Sequence, residues 1–573
     1  MKNVILLLLS PIFLLGSFLI GLFPGLVNPI KEEAQSQITL CAAPGGTKIS
    51  ATANGKFIGV MPGWGQYSYK ISKTSDSAQF YFDQGLSLYY SYHMKESLAS
   101  FKEASRHDPA SAMTYWGQAL AMGPYYNAAH TYKMPTEILD ILEKMNARKT
   151  EGQDKEKALI EVMNYRYSTD LTDAKRKDLN LAYAASMREL ILSYPDDADL
   201  KALYVDAVML IHAWDFWNND GSPKPWTGEV VRLCEQILKQ NPDHPAALHY
   251  HIHLTEASHH PEQALPNADK LKDLFPGVAH MVHMASHEYQ RNGLYKKGVD
   301  VNDAADDNLL RYDSLAKNLS LVKHSPHYFA VQTYCALSGG MYKTAMRAAL
   351  RCRKSVTPAY ETTYDQYLYM LPALTLVRLG KWEEILKDET APDSNWTYAS
   401  LLFDFARGMA YVHTGKADLA KKHLAALLSK SKDPVLEKRR IPFNAPLPMA
   451  QIAGKILEAS ILFDEKSNDK AITKLIEAIR IEDGLIYTEP NDWPIPARQF
   501  LGAYYLELGK PAMAEKVYRQ DLVWNPGNGW SYVGLFKSAR KQNKTKFLPD
   551  YKKKYELAFS HAETIPNSSA IIR

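Results

Sequence analysis

The chain is 573 residues long, which exceeds the size of a single hydrophobic core, so several domains or one long array of repeats is expected. Hydrophobic residues make up 46% of the chain and charged residues 23%, as in ordinary globular proteins. Basic and acidic side chains nearly balance, at 67 and 63, and the net charge of +4 gives no reason to expect nucleic acid or anionic lipid as a partner.

Residues 1–30 have the pattern of a targeting segment. Lys2 supplies a positive start, and no charged residue occurs between Val4 and Val27. This apolar run is long for the core of a cleaved signal peptide and long enough to span a bilayer, although prolines and glycines within it weaken a straight helix. A cleaved signal peptide and a retained membrane anchor both remain open. Either would export the rest of the chain, and membrane contact is expected only through this segment.

Residues 31–76 are rich in glycine, serine, threonine and alanine, and they include the breakers Pro44-Gly45-Gly46 and Pro62-Gly63. We interpret them as a linker or an irregular N-terminal arm. From Ser77 almost to the end, the pattern of apolar residues is helical, and no strand-rich domain is predicted.

Small and large residues recur along the helical part with the spacing of a helix-turn-helix repeat. In the clearest unit, repeat positions 8, 11, 15, 20, 24 and 32 hold Gly502, Tyr505, Gly509, Ala514, Tyr518 and Pro526. A unit near the start has Gly85, Phe101, Ala104 and Pro109 at positions 8, 24, 27 and 32. This spacing resembles the tetratricopeptide repeat (TPR), a helical hairpin that stacks into a superhelix. The resemblance implies an all-α, TPR-like helical-hairpin solenoid, with TPR-like helices over 77–243, histidine-rich repeats over 244–352 and further repeats over 353–573.

An aromatic and acidic stretch occupies residues 212–221, just before the histidine-rich repeats. Asp215 and Asp220 could face a groove there, with Trp214 and Trp217 forming its wall. The interpretation that we favour is a packed helix end followed by an Asn-Asp-Gly turn.

Histidines concentrate between residues 244 and 327, which hold eleven of the eighteen in the chain. His249 and His253 recur 34 residues later as His283 and His287. Because 34 residues is the period of the repeat, both pairs are expected to take equivalent places on neighbouring helices.

Two predicted helices, over residues 246–258 and 278–291, carry most of this cluster. On each of them the ligand-capable side chains are spaced three or four residues apart and share one face. In TPR proteins such positions line the concave groove, so the resemblance implies that seven side chains converge there. These side chains are His249, His253, Glu256, His280, His283, His287 and His327.

A convergence of six histidines and one carboxylate predicts a transition-metal site. Imidazole suits Zn, Cu, Fe and Ni, and a single carboxylate among many histidines disfavours Mg and Ca. We expect one or two Cu, Fe or Zn ions; a six-histidine site would suit a copper pair, and one that includes Glu256 would suit iron or zinc. Glu256 is also the candidate general base, and no further catalytic residue is predicted. The alternatives are a buried polar network and a groove for an acidic ligand.

Two features outside the cluster are assigned structural roles. Cys335 and Cys352 could meet across one hairpin as a disulfide, but we favour two buried free thiols. Farther along, Glu489 or Asp492 is expected to pair with Arg498 as a clamp at the start of a helix.

The chain also resembles a group of bacterial TPR proteins, over residues 85–127, 214–221, 244–307, 487–502 and 521–535. The resemblance implies that the His-x3-His-x2-Glu and His-x2-His-x3-His segments are shared features of the group. In a bacterial protein, the N-terminal segment predicts export across the inner membrane, to the periplasm or to a membrane-anchored position outside the cytoplasm. Two functional hypotheses result: a transition-metal site in the groove with oxidative or hydrolytic chemistry, and a non-catalytic scaffold that binds a peptide or partner protein.

Overall fold

The computed structural model describes residues 49–72, 74–388, 390–440 and 442–572. In these residues the chain is all-helical, and the strand-like pairing found among them is one bridge between Trp217 and Pro223. The predicted signal peptide or anchor, residues 1–30, lies outside the described part. No helix in that part is long and apolar enough to cross a membrane.

The α-helices of the described part are α1 (Asp76–Tyr90), α2 (Met94–His107), α3 (Ala112–Met122), α4 (Ile138–Ala147), α5 (Asp154–Asn164), α6 (Arg176–Ser193), α7 (Ala198–Ile211), α8 (Thr227–Gln240), α9 (Pro245–Thr255), α10 (Leu265–Leu274), α11 (Ala279–Arg291), α12 (Tyr295–Leu315), α13 (Pro326–Ser338), α14 (Tyr342–Lys354), α15 (Thr363–Arg378), α16 (Trp382–Lys387), α17 (Thr397–His413), α18 (Ala417–Lys430), α19 (Pro446–Asp464), α20 (Asn468–Glu482), α21 (Ala497–Glu507), α22 (Pro511–Trp524), α23 (Gly529–Lys541) and α24 (Leu548–Ala558). Short 3-10 helices lie at Tyr126–Ala128, Lys149–Glu151, Pro261–Ala264, Lys317–Leu319, Pro434–Glu437 and Thr545–Phe547.

Helices that follow one another in the sequence pack against each other as hairpins. Only three residues separate α1 from α2, α11 from α12, and α21 from α22. A connection this short makes the two helices run antiparallel. The first helices of successive hairpins also touch, as α11 does with α13 and α21 with α23. This stack confirms the predicted all-α, TPR-like helical-hairpin solenoid.

Glycines allow the helices to approach closely at the positions that the repeat pattern specifies. Gly85 in α1 and Gly117 in α3 lie against the ring of Phe101 in α2, where an added Cβ would come within 2.9 and 2.3 Å of ring atoms. Gly502 meets Tyr518 in the same way, at 2.3 Å, in the C-terminal repeat. The small residue at position 8 therefore makes room for the large residue at position 24, as the sequence spacing predicts.

Residues 49–72 form no helix, but they pack against α1 as an irregular arm. The backbone amide of Met61 donates to Gln84 Oε1 at 2.9 Å, and that of Tyr69 donates to Asp83 Oδ1 at 3.0 Å. Met61 and Tyr69 are both buried. Side chains of α1 thus satisfy backbone groups that an irregular segment cannot pair within itself.

The solenoid brings its C-terminal repeats back against the histidine-rich repeats. Gly293, after α11, meets the backbone of Gly527, and an added Cβ on Gly293 would lie 2.1 Å from the Gly527 carbonyl oxygen. The indole nitrogen of Trp530 donates to the Ser338 carbonyl at 2.9 Å. Residues that are some 200 positions apart in the sequence can therefore contribute to one site.

Substitution of Gly293 by alanine is expected to destabilise the protein by about 2–4 kcal/mol. About 1–3 kcal/mol comes from forcing a methyl group into a filled contact, and about 1 kcal/mol from the left-handed backbone. Gly415→Ala is the matched control, because Gly415 has a φ of +71° against +73° for Gly293 but nothing within 4 Å of its added Cβ. Urea unfolding measures both losses, and equal losses would contradict the close contact.

The cysteines of the described residues, Cys234, Cys335 and Cys352, are buried free thiols. Cys335 packs against Gly298, and the Cys352 Sγ lies 3.5 Å from the Pro326 carbonyl oxygen. The favoured interpretation of Cys335 and Cys352 as two separate thiols is therefore what the structure shows.

Candidate metal centre

Three helices position the predicted ligands. His249 and His253 lie on α9, His327 lies on α13, and the remaining three histidines lie on α11. Glu256 is the C-cap residue that directly follows α9. Each of these seven side chains is at most 3% exposed. The structure therefore brings together all the side chains that the repeat register selects, but it buries them, whereas the resemblance implies an open concave groove.

The first triad consists of His249, His253 and His280, whose candidate ligand atoms lie within 4.8 Å of one another. The Nδ1 of His249 is 2.7 Å from the Tyr90 carbonyl oxygen, so this nitrogen carries the proton and leaves the lone pair on Nε2. That Nε2 lies 3.0 Å from His280 Nε2. The Nε2 of His253 is buried without a hydrogen-bond partner. The three buried imidazoles thus lie close enough to share one ion.

The second triad consists of His283, His287 and His327 and meets the same 4.8 Å limit. Asn302 Oδ1 accepts from His283 Nδ1 at 2.6 Å, which leaves the lone pair of His283 on Nε2. This Nε2 lies 3.0 Å from His287 Nε2. Both nitrogens of His327 are buried without a hydrogen-bond partner. The second triad therefore repeats the arrangement of the first.

The two triads are neighbours. Across the boundary between them, the ring centroids of His253 and His287 are 6.3 Å apart and those of His280 and His283 are 6.1 Å apart. Glu256 joins the triads, because its Oε1 lies 3.0 Å from His253 Nδ1 and its Oε2 lies 3.0 Å from His287 Nδ1. The second of these contacts has the distance of an ion pair but lacks the alignment of a hydrogen bond. The carboxylate thus contacts the nitrogens on the far side of each ring from Nε2.

Glu489 is a second carboxylate of the site that sequence reasoning missed. It comes from the loop between α20 and α21, and its Oε1 lies 3.5 Å from His253 Nδ1 and accepts from Trp214 Nε1 at 2.8 Å. The predicted clamp between Arg498 and Glu489 or Asp492 is wrong, because Arg498 instead forms a two-pronged ion pair with Asp483 at 2.5 and 2.6 Å. The sequence offered no signal for Glu489, since its approach to α9 depends on how the superhelix closes.

Burial sets the protonation of most rings in the centre. It lowers the pKa of four imidazoles well below the usual range, and like-charged neighbours add to the effect, so these rings are neutral at pH 7. They are His249, His280, His283 and His327. A metal ligand must be neutral imidazole, so these rings need lose no proton on binding.

Two carboxylates counteract the effect of burial on the pKa of His253. Burial alone lowers the pKa of this imidazole, but contacts with Glu256 and Glu489 outweigh it and raise the pKa to about 9. Burial also disfavours ionised Glu256, yet the charge of His287 and a hydrogen bond from His253 hold its carboxyl pKa below the usual range. Burial and the charge of Glu256 raise the pKa of Glu489. The centre therefore holds one firmly ionised carboxylate among its histidines.

Histidines that the repeat register leaves out of the site lie elsewhere. His251, also on α9, faces away from the triads and meets Asn267 through its Nδ1 at 3.0 Å. His244 caps the start of α9 by accepting from the backbone amide of Ala247. These positions agree with the predicted division between the ligand face and the rest of the helix.

A cavity of about 640 Å³ adjoins the centre. Its walls include the side chains of Trp214, Trp217, Tyr487, Trp493 and Trp524. The Tyr487 hydroxyl donates to the Glu256 carboxylate at 3.2 Å, and Trp214 contacts Glu489 as described above. The aromatic stretch before α8 forms a turn, in which the Asn218 backbone amide donates to the Ser222 carbonyl at 2.9 Å. The tryptophans of the same stretch form part of the cavity wall.

Glu482, at the end of α20, lies on the edge of the cavity. Its carboxyl group is expected to make the stability of the protein depend on pH. Burial raises the pKa of its carboxyl to about 8 in the folded protein, above the ordinary value of 4.5. The stabilisation from its neutral form is complete below pH 4.5 and is lost as the pH rises through 8. The unfolding free energy of Glu482→Gln, taken relative to that of wild type, is expected to increase by on the order of 1–3 kcal/mol when the pH is raised from 5 to 8.5. Urea unfolding at both pH values measures this, and a difference that does not change with pH would contradict it.

No protein-family model and no curated protein matches the chain. Among solved structures, the human IFIT1 dimer with m7Gppp-AAAA matches 86% of this chain and 91% of its own, at 10% identity and a TM-score of 0.30. Yeast Tom70 matches 77% of this chain and 92% of its own, at 11% identity and a TM-score of 0.29. The TPR domain of P58(IPK) matches 82% and 99%, at 12% identity and a TM-score of 0.20. TM-scores this low carry no argument about function.

Proposed function

We propose that this protein is an exported metalloprotein whose buried centre binds two transition-metal ions, one in each histidine triad. The observation that carries the proposal is the orientation of the rings. Four of the six histidines have their Nδ1 atoms in contact with Tyr90, Asn302 or Glu256. These contacts orient the rings so that their Nε2 atoms point towards two separate clusters. Metal-ligating histidines are held in this way, by an acceptor on the nitrogen that faces away from the ion.

The donor atoms fit such ions in spacing and in hydrogen bonding. Bonds of 2.0–2.1 Å in a tetrahedral site place the nitrogens about 3.3 Å apart. The Nε2 pairs of His249 with His280 and of His283 with His287 are each 3.0 Å apart, and the third ligand atom of each triad lies within 4.8 Å of the others, so the rings would move inward to bind an ion. Each buried nitrogen without a partner costs about 1–3 kcal/mol, and an ion in each triad would compensate the orphaned Nε2 of His253 and one of the two orphaned nitrogens of His327.

The donor set favours copper or zinc. Three imidazoles per ion suit both elements and leave an open coordination position for water or substrate, and His253 would release a proton as its ion binds. Iron would suit the site if Glu256 were a direct ligand, and His253, Glu256 and Glu489 also lie close enough to share an ion. The contacts of both Glu256 oxygens with Nδ1 atoms favour its role as a positioning residue. When bound, copper would supply oxidative chemistry and zinc hydrolytic chemistry.

The residues around the triads orient the rings and control their protons. Glu256 keeps the Nδ1 proton on His253 and restrains His287, so one carboxylate positions a ligand in each triad. Glu489 provides a second acceptor for His253 and is held by Trp214. Since the centre is almost closed to solvent, its chemistry would proceed without competing bulk water.

Elemental analysis of the untagged full-length protein tests the proposal. We expect two tightly bound equivalents of copper or zinc, retained through dialysis and restored after chelation and reconstitution. A protein that stays free of metal after reconstitution with copper, zinc and iron would overturn the proposal. That result would favour the non-catalytic scaffold that binds a peptide or partner protein, and pull-down from the exported fraction would then be the next experiment.

A further inference from the structure

The cavity beside the centre has the size of a small-molecule site, and five aromatic side chains stand among its polar and charged walls. Small-molecule sites typically enclose about 300–1,000 Å³ and are lined mainly by apolar and aromatic side chains. The cavity here measures about 640 Å³. Indole rings from three distant parts of the chain, those of Trp217, Trp493 and Trp524, line it. The chain thus brings together tryptophans that no single repeat contains.

The charged groups of the cavity are already paired with one another or with the backbone. Arg498 is engaged by Asp483, and Lys224 lies 3.2 Å from Asp215. The guanidinium of Arg291 donates to three backbone carbonyls, at 2.8 to 3.0 Å. The lining as a whole holds four basic and four acidic side chains, so in formal charge a strongly charged ligand would meet no surplus of either sign.

The side of the cavity that faces the metal centre is held in place. Trp214 stacks on Tyr126, with ring centroids 4.3 Å apart, and its indole nitrogen is bound to Glu489. Its backbone is left-handed, with a φ of +59°, which is uncommon for a large side chain. Gln290 donates to the Tyr487 hydroxyl at 2.8 Å, which aims that hydroxyl at Glu256. A ligand in the cavity would lie one side chain away from the carboxylates that contact the histidines.

We infer that the cavity binds a neutral aromatic molecule of one or two rings as the substrate of the adjoining centre. The substrate role rests on the proposed function, whereas the binding of the aromatic molecule does not. Aromatic walls stack on such a ring at favourable offset or edge-to-face geometry, and the balanced, internally paired charges repel neither the ring nor its neutral substituents.

Isothermal titration calorimetry with indole and with 4-methylphenol tests the inference on the untagged full-length protein, both as purified and after chelation. We expect saturable binding of either aromatic probe in both states and none of methyl glucoside. Trp524→Ala is expected to weaken binding at least about tenfold, because it removes one wall. Trp396→Ala is the matched control, since Trp396 is also half-buried but lies outside the cavity.

The outcomes separate this inference from the proposed function. No saturable binding of either aromatic probe, equal losses in both tryptophan variants, or equally tight binding of methyl glucoside would each overturn the aromatic site. Metal content should be the same in Trp524→Ala as in wild type. If the protein binds indole but never holds metal, the aromatic site is supported, whereas the proposed metal centre and the substrate role of the ligand are contradicted.

Discussion

The double substitution His253→Ala/His287→Ala is expected to abolish metal binding. It removes one imidazole from each triad and also the two contacts of Glu256 with the site. The affinity of both sites should fall by more than about 100-fold, beyond the 10–100-fold that loss of an outer partner produces. Elemental analysis after dialysis measures the metal content, and circular dichroism shows whether the helices remain.

Single substitutions distinguish the metal held by the first triad from the metal held by the second. His249→Ala should remove the metal of the first triad and His327→Ala that of the second, so each variant should retain about half of the wild-type content. His251→Ala is the control, because His251 is a buried histidine of the same helix, α9, that faces away from the site. Wild-type metal content in both single variants, or metal loss in His251→Ala as large as in them, would rule out two three-histidine sites.

Substitution of Glu256 by glutamine is expected to weaken both metal sites together, by about 10–100-fold. The amide keeps the shape of the side chain but loses the charge that holds the Nδ1 proton on His253 and lies beside His287. If Glu256 were a ligand of one ion, its substitution would weaken one metal site. Because its carboxylate contacts a ring of each triad, we expect the substitution to weaken both sites. Competition titration with a chromophoric chelator measures the two affinities.

Glu288→Gln is the matched control for this experiment. Glu288 is a buried carboxyl on α11, and burial and the nearby charge of Glu256 raise its pKa well above the usual range. Its side chain approaches Asn292 and not a ligand histidine, so the neutral glutamine should leave both affinities unchanged. If Glu256→Gln weakens only one site, the shared positioning role is wrong and direct ligation of one ion becomes the better explanation.

Local patterns were sufficient to predict the helices and the face on which the histidines lie. The three- and four-residue spacing on α9 and α11, and the 34-residue period between them, depend only on helix geometry and the repeat. The seven predicted side chains converge for this reason, and His251 falls outside the cluster for the same reason.

Contacts between distant repeats could not be predicted in this way. They depend on the curvature of the superhelix and on irregular insertions, and small changes per repeat add up over many hairpins. Glu489 shows the consequence, because the local pattern suggested a partner nine residues away at Arg498 and the closed superhelix placed the carboxylate against His253.

The sequence by itself determined an all-α repeat protein with one histidine-rich face. Only the tertiary structure decided that these histidines form two buried triads, that Glu256 and Glu489 meet them from the Nδ1 side, and that an aromatic cavity adjoins them. The physical reason is that helix formation and stacking follow short-range periodicity, whereas the protonation, burial and partners of each ring are set by groups that the superhelix brings from far along the chain.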